Sequence, residues 1–279
     1  MTKTVGLIGY PLGHSISPVF QQAAFDHLGL NIRYEIWETE PEKLEAAVKG
    51  ILAEDKIGSN VTVPYKEDVI QFLDEINEVA SDIGAVNTIV KMDNRLIGYN
   101  TDAEGFLRSL EMEGKFDPEG KKVAIIGAGG AARAVGFALA GVGVDSLMIC
   151  NRSVKRAEKL AERLNIREVA VVSTDEDLHF REAILQADLV VNCTSVGMKH
   201  GSAQDQSPVP YDFISPFSLV YDVVYNPVKT PLIQSAEKAG ARTLSGLSML
   251  VYQGVASFEL WMGQAAPVDI MMRKAENAL

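Results

Sequence analysis

Val123-Ala-Ile-Ile-Gly127-Ala-Gly129-Gly130-Ala131-Ala132-Arg133 decides the fold of the second half of this chain. Its apolar opening reads as a strand buried on both faces. A Gly-x-Gly-x-x-Ala turn follows at once, and Ala134, Val135, Ala138 and Leu139 then mark a helix. The glycines permit a tight turn and let the backbone approach a pyrophosphate. The helix behind them offers unpaired N–H groups and the positive end of its dipole. Ala132 in the last position still allows close helix–strand packing. Strand, turn and helix in this order predict a dinucleotide site. A Gly-rich turn with another use, or a methyltransferase site, is the competing reading.

The end of the next strand bears on which dinucleotide. An NAD site usually places Asp or Glu there, roughly 20 residues on, to bind the ribose 2′-hydroxyl. This chain reads Met148-Ile-Cys150-Asn151-Arg152-Ser153-Val-Lys155-Arg156, with three cations and no acid. A 2′-phosphate would be repelled by a carboxylate and held by a guanidinium fork. Arg152 is the best candidate, with Arg156 one helical turn on; Lys155 and Arg156 read equally well as a solvated helix face.

Working outward, strands at 122–126, 146–150, 168–172, 188–193 and 219–224 alternate with helices. Upstream, strands are expected at 5–9, 34–37 and 58–63, and helices at 18–28, 42–53 and 68–83, the last in two pieces. A hairpin over 86–90 and 96–99 would turn at Asp93-Asn94. Such alternation predicts a largely parallel sheet with helices on both faces. A helix at 103–112 and the polar stretch Glu113-Gly-Lys-Phe-Asp-Pro-Glu-Gly120 suggest a boundary after Asp102. Two consecutive helices, 247–262 and 268–278, close the chain with no strand between them.

The composition fits this picture. The 279 residues are 47% hydrophobic and 23% charged, which excludes disorder and a collagen-like repeat. A net charge of −11 argues against nucleic acid, whose phosphates demand clustered Lys and Arg. Two cysteines, Cys150 and Cys193, make neither a disulfide framework nor a zinc site. No signal peptide and no apolar run of about 20 residues is visible, so a cytoplasmic protein off the membrane is expected.

The first part carries polar residues that burial does not ask for. In Gly13-His14-Ser15-Ile16-Ser17-Pro18, two hydroxyls at i and i+2 before a helix suit a carboxylate. Alternatively Ser17 only caps that helix, with Pro18 at its first position. His14 reads as a turn residue rather than a catalyst. In Asn60-Val-Thr62-Val-Pro64-Tyr-Lys66, Asn60 and Thr62 share a side of a strand and Lys66 projects from its end. That edge is where open α/β sheets bind ligands. Gly84-Ala-Val-Asn87-Thr88 and Tyr99-Asn100-Thr101-Asp102 are two more polar strand ends. A Lys and an Asp near one ligand would couple, the ammonium polarising a carbonyl or passing a proton while the carboxylate holds it in place.

Together these motifs resemble the shikimate dehydrogenase family, in the usual order and over nearly the whole chain. Asn192-Cys-Thr-Ser-Val-Gly-Met198, Tyr221-Asp222, Tyr225-Asn-Pro-Val-Lys-Thr-Pro231 and Gln253-Gly-Val-Ala-Ser-Phe-Glu-Leu-Trp261 belong to the same likeness. The resemblance implies two α/β domains flanking a cleft, the second a Rossmann-type doubly wound parallel sheet. It assigns 1–102 with 247–279 to substrate and 103–246 to NADP. It implies NADP-dependent interconversion of 3-dehydroshikimate and shikimate on the route to chorismate and aromatic amino acids. Carried over, Lys66 and Asp102 are the catalytic pair, Ser15 and Ser17 bind the substrate carboxylate, and Thr62, Asn87 and Gln253 hold ring hydroxyls. Gly127, Ala128, Gly129, Gly130 and Ala131 take the pyrophosphate, and Asn151, Arg152 and Arg156 the 2′-phosphate end. Thr194, Ser195, Tyr225, Gly246 and Met249 line the nicotinamide side. No metal is implied, and either a monomer or a homodimer is compatible. Cys193 and Ala103 depart from residues frequent in the family, at no assigned position. The rival readings are a quinate/shikimate dehydrogenase using NAD, which would favour an acid near Asn151 and Thr in place of Ser17, and a non-enzymatic ligand-binding homologue, which would be expected to lack Lys66 or Asp102.

Overall fold

The computed structural model describes residues 2–13 and 15–279, with the side chain of Asp177 left aside; His14 lies outside the described residues. The chain forms two compact α/β units. The first runs to Gly105 and takes up Val251–Ala278; the second is Phe106–Leu250.

In the first unit, β1 (Lys3–Gly9), β2 (Ile32–Glu38), β3 (Lys56–Val61), β4 (Glu75–Ile76), β5 (Thr88–Met92) and β6 (Arg95–Tyr99) form one sheet in the order β2-β1-β3-β5-β6-β4. β1 pairs in parallel with β2 and β3, whereas β5 runs antiparallel to both β3 and β6. The sheet is therefore mixed rather than largely parallel. The mixing enters with β5: its hairpin with β6 turns at Asp93 and Asn94, which both take positive φ, 49° and 58°, and its other edge joins β3 antiparallel. That hairpin pairs Met92 with Arg95 and Thr88 with Tyr99.

Two helix expectations change. The 68–83 stretch is a 3₁₀ turn (Asp68–Phe72), then β4, then a helix at Glu78–Ile83. The carboxylate of Asp74 accepts the Leu96 N–H at 2.7 Å, and Asn77 caps the following helix by accepting the Val79 N–H at 3.0 Å. Short polar side chains that bond backbone in this way compete with a continuous helix. The first helix spans Ser17–His27 with Ile16 at its N-cap and no capping side chain. Ser17 is thus its first residue, not its cap.

One face of this sheet packs Ile8, Val48, Ile51, Val61, Val86, Ile89 and Leu96 into a core. The chain's last two helices, Gly246–Met262 from residue 251 on and Val268–Glu276, also belong to this unit. Phe258 meets Phe25 with ring centroids 5.2 Å apart, and the Trp261 indole N–H donates to the Ile89 carbonyl at 3.0 Å. The indole fits because Gly58 has no side chain.

In the second unit, β7 (Lys122–Ile126), β8 (Ser146–Cys150), β9 (Glu168–Val172), β10 (Leu189–Asn192), β11 (Leu219–Asp222) and β12 (Arg242–Ser245) are all parallel, in the order β12-β11-β10-β7-β8-β9. This is the doubly wound Rossmann-type order, with its switch point between β10 and β7. Ala124, Ile126, Val190 and Val220 alternate into a core with Ile184, Leu232 and Ala236 from helices. β12 was not expected from the sequence: in Arg242-Thr-Leu-Ser only Leu244 is buried, too little for an apolar run.

A Cβ on Gly58 would sit 2.6 Å from Trp261 Nε1 and nearer still to the Ile89 carbonyl oxygen. Gly58→Ala should therefore lower the unfolding free energy by roughly 1–3 kcal/mol, the scale of overpacking. Urea unfolding of the two proteins measures it; equal midpoints and slopes would show that the indole seat is not tightly filled.

Candidate active site

Strand register collects three polar strand ends at one edge of the first sheet, because Asn60 pairs with Thr88 and Thr88 with Tyr99. Lys66 lies just past β3, Asn87 just before β5, and Asp102 just past β6, at the start of helix Asp102–Met112. A carboxylate is favoured there by the helix dipole. Lys66 Nζ meets Asp102 Oδ2 at 2.6 Å, with the two side chains 29% and 14% exposed, so the pair is screened yet reachable. Asn87 Nδ2 donates to Asp102 Oδ1 and to Thr101 Oγ1, both at 2.9 Å, and lies 3.3 Å from Gln253 Oε1. The Thr101 N–H donates back to Asn87 Oδ1 at 2.8 Å, which fixes which way that carboxamide points. The Val86 N–H holds the Lys66 carbonyl at 2.7 Å. Asn100 accepts the Asp102 N–H at 3.0 Å and donates to the Ala85 carbonyl at 2.9 Å.

A buried polar layer lies behind these residues. Asn60 Nδ2 reaches Ser257 Oγ at 3.0 Å and Thr88 Oγ1 at 3.1 Å, and Ser257 meets Thr88 at 2.8 Å. The Tyr34 hydroxyl donates to Asn60 Oδ1 at 2.7 Å; burial raises its pKa far above the ordinary phenol value, so it stays a donor. Tyr34 and Ser257 were not singled out from the sequence. For Ser257 a signal existed, since it lies four residues after Gln253 on the same helix face.

Lys66, Asp102, Asn87 and Gln253 are thus brought together. Ser15, Ser17 and Thr62 are tied into the fold through their backbone N–H groups. The Ser15 N–H donates to the Leu12 carbonyl at 3.1 Å, Ser15 Oγ accepts the Ser17 N–H at 3.4 Å, and the Thr62 N–H donates to the Ile8 carbonyl at 2.8 Å.

In the second unit, Gly127 has φ +110° and a Cβ there would lie 3.1 Å from Thr194 Cγ2, so only glycine suits the turn. Gly129 and Gly130 have open space beside their Cα atoms, and no side chain caps helix Gly130–Gly141. Ala128 and Ala131 are half-buried beside them. An open, glycine-lined helix start fits a pyrophosphate. At the end of the adjacent β8, Asn151, Arg152, Ser153 and Arg156 line a pocket of about 380 Å³ with no acidic wall, which fits a 2′-phosphate. Thr194, Ser195 and Tyr225 are at least partly exposed at the strand ends, whereas Gly246 and Met249 are buried, Gly246 directly against the Val223 carbonyl. Among the described residues no group of His, Cys, Asp and Glu is placed to hold a metal ion, and no helix is long and apolar enough to cross a membrane.

A model of the shikimate dehydrogenase substrate binding domain matches residues 7–89, one of shikimate/quinate 5-dehydrogenase matches 111–200, and one of the shikimate 5′-dehydrogenase C-terminal domain matches 246–276. Shikimate dehydrogenase (NADP(+)) of Methanopyrus kandleri is 48% identical over 97% of this chain and 93% of its own. The chain belongs to the shikimate dehydrogenase family. Shikimate 5-dehydrogenase from Thermus thermophilus, solved with NADP(H) and shikimate, superposes with a TM-score of 0.89 at 36% identity, covering 99% of this chain and 100% of that one. Quinate dehydrogenase from Corynebacterium glutamicum, solved with NAD, gives 0.91 at 32% identity over 99% of both chains.

This shikimate dehydrogenase family member also holds a fully buried carboxylate, Asp222, at the end of β11. Burial raises its pKa to about 6, although Thr230, Asn192 and the Val224 N–H each lower it by bonding the ionised form. Between pH about 4 and about 6 the folded chain therefore keeps a proton that the unfolded chain has released. The group's contribution to stability falls as pH rises through that window and is level above it. Asp222→Asn removes this titration. Urea unfolding at several pH values should show wild type losing ground to the variant from pH 4 to 6; a difference independent of pH would mean that Asp222 titrates as an ordinary carboxylate.

Proposed function

We propose that this chain catalyses the reversible, NADP-dependent reduction of 3-dehydroshikimate to shikimate. The observation that carries the reading is the Lys66–Asp102 pair at 2.6 Å, held at a sheet edge by Asn87, which in turn lies 3.3 Å from Gln253 Oε1. When bound, NADPH supplies the hydride for the ring carbon, and NADP⁺ accepts it in reverse. The work of the protein is orientation, charge and the proton.

Lys66 spends one ammonium hydrogen on Asp102, leaving two for the substrate. Aimed at the ketone oxygen, they stabilise the alkoxide as it develops, and one becomes the hydroxyl proton. Asp102 has both oxygens engaged, Oδ2 by Lys66 and Oδ1 by Asn87, so it acts as an acceptor that orients the ammonium. Ser15 and Ser17 would hold the substrate carboxylate; that the Ser17 hydroxyl does not cap its helix supports this use. Thr62, Asn87 and Gln253 would hold ring hydroxyls. Gly127 to Ala131 would take the pyrophosphate, and Asn151, Arg152 and Arg156 the 2′-phosphate. Thr194, Ser195 and Tyr225 would face the nicotinamide, backed by Gly246 and Met249. A substrate domain of 1–102 with 247–279 and an NADP domain of 103–246 go with this reading, as does a cytoplasmic location, supported by two cysteines that are free thiols.

Likeness to a quinate dehydrogenase that binds NAD makes cofactor choice the decisive test. Purified protein given shikimate and either cofactor, followed by absorbance of the reduced nicotinamide, should favour NADP at least about tenfold in kcat/KM. One charge-assisted contact supplies that much. Arg152→Ala should erase most of the gap through KM for NADP; equal use of both cofactors by wild type would exclude the 2′-phosphate role.

Lys66→Ala should lower kcat by roughly 10²–10⁴-fold, the scale for a positioned acid or base. NADP affinity should be kept. Near-normal turnover in a folded Lys66→Ala protein would remove Lys66 from the chemistry.

A further inference from the structure

We infer that Asp222 is a positioning residue that fixes two segments beside the cofactor, 193–199 and 223–230, by dictating the polarity of one hydrogen-bond chain; the inference rests on the NADP reading above. Asp222 ends β11 in register with Asn192 at the end of β10, the strand beside the switch point. Its carboxylate is fully buried, and no Lys, Arg or His among the described residues pairs with it. A buried anion held by neutral donors alone is a costly choice where an apolar side chain would fill the space. What it provides is direction, because an ionised carboxylate only accepts.

Three donors converge on it: Asn192 Nδ2 at 2.8 Å and the Val224 N–H at 3.1 Å on Oδ1, and the Thr230 hydroxyl at 2.6 Å on Oδ2. With its NH₂ committed to Asp222, Asn192 must turn its oxygen the other way. There Oδ1 accepts the Thr194 N–H at 3.0 Å and the Thr194 hydroxyl at 2.7 Å. Thr194 Oγ1 in turn accepts the Val196 N–H at 3.2 Å. The turn over 192–196 is thus set, link by link, from the carboxylate. Thr194 Cγ2 is also the nearest neighbour of the side-chain position that Gly127 leaves empty, 3.1 Å away, so the same chain backs the first glycine of the phosphate turn.

The second arm sets the loop that carries Tyr225. Val224 is tied directly to Asp222, and Thr230, besides donating to it, accepts the Ile233 N–H at 3.2 Å and so caps helix Pro231–Ala239. The two segments meet where the Lys199 N–H donates to the Asn226 carbonyl at 2.9 Å. Asparagine at 222 would fill the same volume yet lose the polarity, since a carboxamide presents either a donor or an acceptor to Asn192.

The test compares wild type, Asp222→Asn, Asn192→Ala and the double variant. Amide hydrogen exchange without cofactor should speed roughly tenfold or more at Thr194 and Val196 in each variant, while Val190 and Val220 in the adjoining strands keep their rates. Titration should show the NADP dissociation constant rising roughly tenfold, the scale of one charge-assisted hydrogen bond. The shikimate constant should stay within about twofold, and KM for NADP should rise by more than kcat falls. Because the residues form one chain, the double variant should bind NADP about as well as the weaker single one. Folded variants with NADP affinity within about twofold of wild type, or losses that multiply, would overturn the inference. Should Asp222→Asn fail to fold, Asn192→Ala alone decides by the same affinity and exchange criteria. Wild type that takes up no NADP would overturn the cofactor reading and the inference with it.

Discussion

The orientation of one carboxamide, that of Asn87, is the constraint on which the first unit's polar edge depends. Its oxygen is claimed by the Thr101 N–H, so its NH₂ has to face Asp102. With Asp102 Oδ1 engaged in this way, Oδ2 is left for Lys66. A reversed carboxamide would set its oxygen against a carboxylate and leave a buried N–H facing an N–H donor. Each mismatch would cost on the order of 1–3 kcal/mol, enough to exclude that state. The aim of Lys66 is thereby decided by a residue it does not touch.

The second unit repeats the device. Asn192 donates to Asp222 at 2.8 Å and accepts the Thr194 N–H at 3.0 Å, as Asn87 donates to Asp102 at 2.9 Å and accepts the Thr101 N–H at 2.8 Å. In both, a strand-end Asn sits between a carboxylate and a threonine backbone. The difference lies in what else reaches the carboxylate. Asp102 has a cation and access to solvent, which suits it to reactive company. Among the described residues Asp222 finds no cation, is fully buried, and its pKa rises to about 6. One local geometry thus serves chemistry in the first case and scaffolding in the second.

The parallel sheet of the second unit was legible in the sequence because strands buried on both faces leave continuous apolar runs, as at Val123 to Ile126 and Leu189 to Val191. β12 was not, since an edge strand with one buried apolar residue leaves no periodicity. The first sheet was misread as largely parallel although its hairpin was visible at Asp93-Asn94, because pairing direction between β3 and β5 is a tertiary fact. The candidate site divided in the same way. Lys66, Asn87 and Asp102 stood out as polar residues at strand ends. Tyr34 and Ser257 did not, for their bonds to Asn60 span 26 and 197 residues, and only the helical spacing of Ser257 from Gln253 hinted at either. Ser17 shows the converse, a strong local capping signal that the helix start one residue earlier overrides.

Absent side chains set the approach of Gln253 to this cluster. A Cβ on Gly105 would lie 2.6 Å from the Gln253 backbone nitrogen, and one on Gly254 would lie 2.5 Å from the Phe20 ring. Both glycines sit inside helices, where each costs about 1 kcal/mol relative to alanine. That cost is borne beside Gln253, a residue of helix Gly246–Met262 whose side chain reaches Asn87. Gln21 Nε2 donates to the Gly254 carbonyl at 2.9 Å, a contact that helix-to-helix closeness makes available. Helix Asp102–Met112 is thus pressed to backbone distance at Gln253, while the Phe20 ring fills the face that Gly254 leaves open. Helix propensity is given up where a single amide oxygen has to be held within 3.3 Å of Asn87, and close packing fixes it there.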